Sequence, residues 1–137
     1  MEQRPVMLGQ NPRQRFETER VRPTQFIVLH PPSKTTVGTS ATTLYTVPDN
    51  RFFIIEEITV TNVAGGTETF TLYAVESGGS AGTSNALVFQ EQIAANTSLR
   101  LTTLSGLMLD AKAILQAKTS SGGGVNVTFW GVEVSGI

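Results

Sequence analysis

Hydrophobic and polar positions alternate along this chain in short segments, most of which end at Gly, Pro, Asn or Ser. Phe70, Leu72 and Ala74 fall on one face of a predicted strand, and Thr69 and Thr71 fall on the other. Turn signals recur about every 8–12 residues, which is typical of a sandwich or barrel. Leu87 with Phe89, Leu99 with Leu101 and Leu107 with Leu109 repeat the same period of two. The predicted strands are 25–30, 42–47, 52–63, 67–75, 85–93, 97–102, 107–109, 113–118 and 125–134.

Two of these predicted strands change phase along their length. A step of three separates Ile55 from Ile58 in one of them, and Phe129 from Val132 in the other, with Gly131 at the second break. One extra residue in a strand is a β-bulge, which Gly often occupies, and long bulged strands can bend from one sheet to another. We therefore expect an all-β fold: a jelly-roll-like antiparallel β-sandwich of about eight or nine strands.

Charge divides the chain into two parts. Residues 1–34 carry six basic and three acidic residues, a net +3, and residues 35–137 carry four basic and eight acidic residues, a net −4. Residues 1–24 are rich in Arg, Gln, Glu, Pro and Asn and cannot bury enough apolar surface to fold alone. We expect an extended N-terminal arm over 1–34, with a first short strand near 25–30, and one sandwich domain over 35–137.

The composition of the arm suits a partner surface better than a passive tail, which is the alternative. Arginine forms bidentate pairs with carboxylates, and the binding energy of interfaces concentrates in aromatic and arginine anchors. The predicted partner-binding residues are Arg4, Arg13, Arg15, Phe16, Arg20, Arg22 and Phe26.

Composition excludes several classes of function. The chain has no cysteine for disulfides, thiolate metal sites or a cysteine nucleophile, and one histidine cannot build a multi-histidine metal centre. Charged residues make up 15 % and the net charge is −1, so no strong field recruits nucleic acid or an anionic membrane. Met7-Leu8 is too short for a secretion signal, and no apolar run approaches the roughly 18 residues that span a bilayer. We expect no cofactor, metal, nucleic acid or membrane, and a cytoplasmic site of synthesis.

The candidate catalytic groups have simpler structural interpretations. Glu56 and Glu57 are an adjacent acidic pair, but neighbouring strand residues point to opposite faces unless a bulge falls on them. Glycoside cleavage needs two carboxylates that face each other across roughly 5–9.5 Å. His30 suits the end of a strand or an interface better than a catalytic triad. We therefore expect that the protein is not an enzyme.

The glycine-rich loops and the aromatic residues also have structural interpretations. Gly78-Gly79 and the run 122–124 lead into strands rather than a helix N-terminus, which predicts turns and not phosphate loops. Trp130 with Tyr45 and Tyr73 could line a sugar site, but the core of a sandwich needs such residues as well.

Four motifs together resemble a known class of virion proteins. They are TVPDNR at 46–51, IEEITVTN at 55–62, TFTLY at 69–73 and GLMLDAKAILQAKTSSGGGVNVTFWGVEV at 106–134. The sequence over roughly residues 40–134 resembles small β-sandwich virion proteins of tailed bacteriophages and leaves the arm unmatched. Where such proteins often have a short Gly-containing turn, this chain has Asp110-Ala111-Lys112.

The resemblance implies a structural protein without catalytic residues. We expect a capsid decoration (cement) protein on the virion surface, assembled in the host cytoplasm, that binds the major capsid protein or other virion proteins. We also expect it to form a homo-oligomer, with a trimer favoured. The alternatives are a tail, collar or fibre-anchoring subunit, a carbohydrate-binding sandwich module and, last, a hydrolase.

Overall fold

The computed structural model describes the backbone of residues 27–135 and the side chains of residues 34–135. This part of the chain is almost entirely β-structure, with single 3₁₀ turns at Thr83–Asn85 and Thr102–Leu104. The predicted all-β class is therefore confirmed. Its nine strands are β1 (Ile27–Val37), β2 (Thr42–Thr46), β3 (Arg51–Asn62), β4 (Glu68–Val75), β5 (Ala86–Ile93), β6 (Thr97–Arg100), β7 (Met108–Leu109), β8 (Ile114–Thr119) and β9 (Val125–Ser135).

The strands form two antiparallel sheets. The first sheet has the order β1-β9-β3-β6, with β7 also paired to β3, and the second sheet has the order β2-β8-β4-β5. The pairs nest along the chain and alternate between sheets: β1 pairs with β9, β2 with β8, β3 with β6 and β4 with β5. Two antiparallel sheets connected in this nested way are a jelly roll. The predicted jelly-roll-like sandwich is confirmed.

The core lies between the sheets and follows the predicted alternation. Phe70 and Leu72 are fully buried, and Leu99 and Leu101 pack against the core from the first sheet. The aromatic rings of Tyr45, Phe53 and Phe129 contact one another, and those of Phe53 and Phe129 meet edge to face with centroids 6.2 Å apart. Burial of such rings is a large source of stability in a domain of this size.

The phase change in β3 is a bulge, as predicted. Trp130 of β9 lies opposite Glu57, but the next residue, Gly131, lies opposite Ile55. Glu56 is therefore an extra residue in β3, and Ile55 and Ile58 on either side of it both point into the core.

The predicted phase change in β9 is wrong. Alternation continues through Gly131 to Glu133, which point inward, and Val132 points outward. The extra residue belongs to the neighbouring strand, so β9 itself needs no bulge. Gly131 is required for a different reason: a Cβ atom there would lie 2.2 Å from the carbonyl oxygen of Ile54 and 2.5 Å from Cζ of Phe53.

β1 is longer than the predicted first strand and crosses the boundary between residues 34 and 35. Pro31-Pro32 does not end it. Ser33 lies opposite Phe129 and His30 lies opposite Gly131, so the two prolines together face a single residue of β9. Proline has no N–H to donate and is tolerated at such an irregularity in an edge strand.

Phe89 is a second correction to the predicted core. It is 54 % exposed, although Leu87 in the same strand packs against the core as predicted. Val88 and Glu91 lie opposite Leu72 and Phe70, so Phe89 and Gln90 share one partner position. Gln90 has a positive φ of 51° and donates its backbone N–H to Oγ1 of Thr71 at 3.0 Å. This bulge turns Phe89 away from the core.

Candidate assembly surface

The N-terminal segment joins the body at an edge of the first sheet. Ile27, the first described residue, lies opposite Val134 of β9. The predicted partner-binding residues lie outside the described part of the chain. They are Arg4, Arg13, Arg15, Phe16, Arg20, Arg22 and Phe26.

Beside this attachment point, the outward face of the first sheet is apolar. Ile54 lies between Met108 of β7 and Val132 of β9, and Phe52 lies opposite Val134 one step along. The inward neighbours Phe53 and Leu109 are buried in the core, so these five side chains point to the other face. We call them the apolar row: Phe52, Ile54, Met108, Val132 and Val134.

Beyond the bulge at Glu56, the same face is polar. Oγ1 of Thr36 donates to Oδ1 of Asn126 at 2.8 Å, and the hydroxyls of Thr61 and Ser98 are 2.9 Å apart. The irregularities at Pro31-Pro32 of β1 and at Glu56 of β3 lie at the same level of the sheet. They mark the border between an apolar half and a hydroxyl-rich half of one sheet face.

A cleft of about 230 Å³ lies at this border and contains the acidic pair that the sequence singled out. Nε of Arg100 is 2.9 Å from Oε2 of Glu57, and the indole Nε1 of Trp130 donates to Oε1 of the same carboxylate at 3.2 Å. Oγ of Ser105 donates to the backbone oxygen of Glu56 at 3.0 Å. The Glu57 carboxylate thus has a cation and an indole as partners.

The structure does not bring the three candidate sugar-binding aromatics together. Trp130 is on the outward face of the first sheet, whereas Tyr73 is buried in the second. Tyr45 packs against Phe53 with ring centroids 4.6 Å apart and donates its hydroxyl to Glu133. No common platform for a sugar ring results.

Tyr45 and Glu133 belong to a buried polar cluster that joins the two sheets. Nη1 of Arg51 is 2.7 Å from Oε1 of Glu133, and the Tyr45 hydroxyl approaches Oε2. Burial, followed by the hydrogen bond to Glu133, raises the pKa of Tyr45 well above its ordinary value. This cluster bridges β2 in the second sheet to β3 and β9 in the first.

The sequence interpretation missed two other buried polar residues, Asn62 and Glu68. Nδ2 of Asn62 donates to the carbonyl oxygens of Gly66 and Ile93, both at 2.9 Å, and Oδ1 accepts from the Ala64 N–H at 2.9 Å. Asn62 therefore fastens the β3–β4 hairpin to the end of β5. Its position two residues after the buried Val60 was the available signal, because alternation already directs it inward.

Glu68 has a comparable role at the loop between β8 and β9. It accepts hydrogen bonds from the Ser120 hydroxyl at 2.8 Å, from the Ser121 N–H at 2.9 Å and from the Ser121 hydroxyl. These hydrogen bonds lower the pKa of Glu68, because they stabilise the charged carboxylate. Its phase, two residues before Phe70, likewise directs it inward.

The structure places the remaining sequence candidates in turns and strands. Gly79 donates its N–H to the Glu76 oxygen at 2.9 Å in a turn, and the loop 122–124 connects β8 to β9. His30 lies within β1 opposite Gly131. Among the described residues there is no group of three or more His, Cys, Asp and Glu placed to hold a metal ion. No helix in the same residues is long and apolar enough to cross a membrane.

No protein-family model and no curated protein sequence matches this chain. Among solved structures, the chain is similar to a protein in the structure of the Gt strain of infectious bursal disease virus. The TM-score is 0.42 at 14 % identity, and the match covers 85 % of this chain and 33 % of that one. For the Gx strain of the same virus the TM-score is 0.43 at 15 % identity, covering 82 % and 32 %. This chain spans about a third of the length of these proteins.

Proposed function

We propose that this protein is a capsid decoration (cement) protein of a tailed bacteriophage, with a structural rather than a catalytic role. The observation that carries the proposal is the junction at Ile27, where a basic N-terminal segment meets an edge strand of a jelly-roll body. The body would be the rigid unit that docks, and the segment would contact neighbouring subunits. The motif resemblance to phage virion proteins supports the same conclusion.

In the proposed mechanism, the sandwich docks on the outer shell and the arm binds neighbouring subunits of the major capsid protein or of the decoration protein itself. Arginine side chains of the arm pair with carboxylates on those subunits. Each contact is weak, but symmetry repeats it, so attachment and resistance to internal pressure come from multivalency.

Self-association is part of the proposal, with a trimer favoured. β5 is an edge strand of the second sheet and exposes Phe89 beside its bulge. Exposed edges that carry large apolar side chains are commonly covered by another subunit. Light scattering of the purified protein tests this point, and a monomer at micromolar concentration would confine the association to the particle.

The decisive experiment adds purified protein to particles that lack it and measures what co-sediments. Deleting residues 1–24 should abolish incorporation, and Arg13→Ala with Arg15→Ala and Phe16→Ala should weaken it severalfold, because each desolvated anchor contributes roughly 1–2 kcal/mol or more. The matched control is Gln3→Ala with Gln10→Ala, in the same segment but without charged or aromatic side chains. Circular dichroism establishes that every variant is folded.

Full decoration by the truncated chain would refute the proposed role of the arm. Copy number provides a second criterion, because a decoration protein should be present in far more copies per particle than a tail or collar subunit. A low copy number at the tail would favour the alternative of a tail, collar or fibre-anchoring subunit. Specific retention of glycans by the isolated protein would favour a carbohydrate-binding module.

A further inference from the structure

Phe89 projects from a bulge that the structure holds in place. Phe89 and Gln90 of β5 share the position opposite Thr71, and Phe89 is 54 % exposed. Gln90 has a positive φ of 51°, which is unfavourable for a residue with a Cβ atom, and its N–H is bound by the hydroxyl of the buried Thr71. Bulges re-aim side chains and are frequent beside functional sites. An exposed aromatic ring on such a bulge has the properties of an anchor for a partner.

A cleft of about 190 Å³ lies between the end of β4 and the turn from β7 to β8. Met108 lines it, belongs also to the apolar row and is 54 % exposed. An apolar cleft that opens to water is a common place for a partner to bind. The apolar lining residues are Ala74, Val75, Met108, Leu109, Ala111 and Ala113.

A chain cannot place its own Phe89 in its own cleft. Phe89 lies beside Thr71, and the cleft begins at Ala74, three residues along β4, which is a distance of roughly 10 Å. The two features also flank β4 on opposite sides, because β5 pairs with one edge of β4 and β8 pairs with the other. The ring that fills the cleft must therefore come from another molecule.

Charge complementarity favours a second copy of this chain as that molecule. Glu76 and Asp110 line the cleft, and no ion pair among the described residues involves either carboxylate, since the nearby Lys112 pairs with a different one. Lys118 is exposed on the same outward row as Phe89, two strands or about 10 Å away, and likewise has no ion pair in this part of the chain. A copy that inserts Phe89 therefore brings an ammonium group towards two carboxylates. A symmetric contact between two such bulges would bring like charges together instead.

We propose that copies of this protein associate head to tail in solution, with Phe89 of one copy in the cleft of the next. Such a contact uses two different surfaces, so each copy offers one and accepts one, and the chain of contacts ends only when a ring closes. A ring of three is the trimer of the proposed function. The inference rests on the self-association in that proposal, but its test uses free protein and can fail while decoration of particles remains.

Size-exclusion chromatography with light scattering measures the association of the full-length protein. Phe89→Ser should raise the dissociation constant about tenfold or more, because it removes the apolar anchor. Ala111→Arg should have the same effect, because the longer side chain occupies the cleft and pairs with the carboxylates there. Val63→Ser is the matched control, because Val63 is 56 % exposed and directly follows β3, away from both surfaces. It should associate as the wild type does.

A mixture of the two variants distinguishes a head-to-tail contact from a symmetric one. The Phe89→Ser chain retains its cleft and the Ala111→Arg chain retains its aromatic ring. At a concentration at which the wild type is assembled, each variant alone should be monomeric, and an equimolar mixture should form dimers that cannot close into a ring.

Three results would overturn the proposal: a wild-type protein that is monomeric at every concentration measured, a mixture without dimers, or a Phe89→Ser protein that associates as strongly as the wild type. The first of these would leave decoration of particles to be decided by co-sedimentation, so the two proposals fail separately. Met108→Arg is the second cleft variant if Ala111→Arg loses its cooperative thermal transition.

Discussion

Gly131→Ala should be one of the most damaging single-methyl changes in this protein. Gly131 lies in the middle of β9, between β1 and β3, and its backbone faces the core. The added Cβ would lie 2.2 Å from the carbonyl oxygen of Ile54, 2.5 Å from Cζ of Phe53 and 3.0 Å from its Cε1. Ordinary non-bonded contacts lie near 3.5 Å or beyond, so a central strand or a fully buried ring must move by about 1 Å.

The magnitude follows from two opposing effects. Overpacking a well-packed core costs about 1–3 kcal/mol and sometimes more, and here the closest atom is backbone, which cannot rotate away. Replacing a strand glycine with alanine returns about 0.5–1 kcal/mol of conformational entropy. The net loss should therefore be about 2 kcal/mol or more, which corresponds to a fall in Tm of roughly 8 °C for a chain of this length.

Urea unfolding followed by the fluorescence of Trp130 measures this loss. Gly66→Ala is the control, because its φ is not positive and no atom lies within 4 Å of the added Cβ. Its free energy of unfolding should change by less than about 0.5 kcal/mol. Combining Gly131→Ala with Phe53→Leu should recover only part of the loss, because the clash with the Ile54 oxygen remains. A Gly131→Ala protein as stable as Gly66→Ala would refute the close approach described here.

Three other changes test the polar contacts and the backbone. Asn62→Ala should lower the free energy of unfolding by about 2–3 kcal/mol in urea titrations, because it removes hydrogen bonds to buried backbone groups. Because the pKa of Glu68 is lower in the folded than in the unfolded protein, its carboxylate stabilises the fold at pH values above the unfolded pKa near 4.5, and this stabilisation is lost as the pH falls towards the folded pKa. Glu68→Gln should therefore flatten the acid limb of a plot of Tm against pH. Lys112→Gly should raise stability by about 0.5 kcal/mol, because Lys112 has a φ of 67° and its 3.8 Å pair with Asp49 is exposed.

Each of these has a clear contrary result. An Asn62→Ala protein that unfolds at the wild-type urea concentration would show that other groups satisfy those carbonyl oxygens. Parallel acid limbs for wild type and Glu68→Gln would show that the serine hydrogen bonds do not distinguish the folded state. A lower Tm for Lys112→Gly would mean that the lysine contributes more through its side chain than its backbone conformation costs.

Period-two alternation predicted the fold class and much of the core, because one buried face per strand leaves a direct imprint on the sequence. The bulge between Ile55 and Ile58 was predictable for the same reason. The apparent break after Phe129 was misleading, since Gly131 and Glu133 occupy the inward positions of β9 and the apolar Val132 occupies an outward one.

The other errors arose from interactions between strands. Phe89 has the phase of a core residue, but a bulge whose N–H is satisfied by the Thr71 hydroxyl turns it outward. Pro31-Pro32 indicates a strand end by local rules, but an edge position with disturbed pairing tolerates both prolines. The apolar row was not predictable from sequence, because its members alternate with core residues and become a surface only when β3, β7 and β9 are adjacent.

The pairing of β1 has a mechanical consequence. β1 pairs with β9 from Ile27, opposite Val134, to Val37, opposite Val125. Hydrogen bonds between antiparallel strands lie perpendicular to the strand axis. A lengthwise pull on the N-terminal segment therefore loads these bonds together in shear, whereas a sideways pull opens them one at a time from Ile27. The direction in which the segment leaves the strand thus decides how much force an attachment through it can bear.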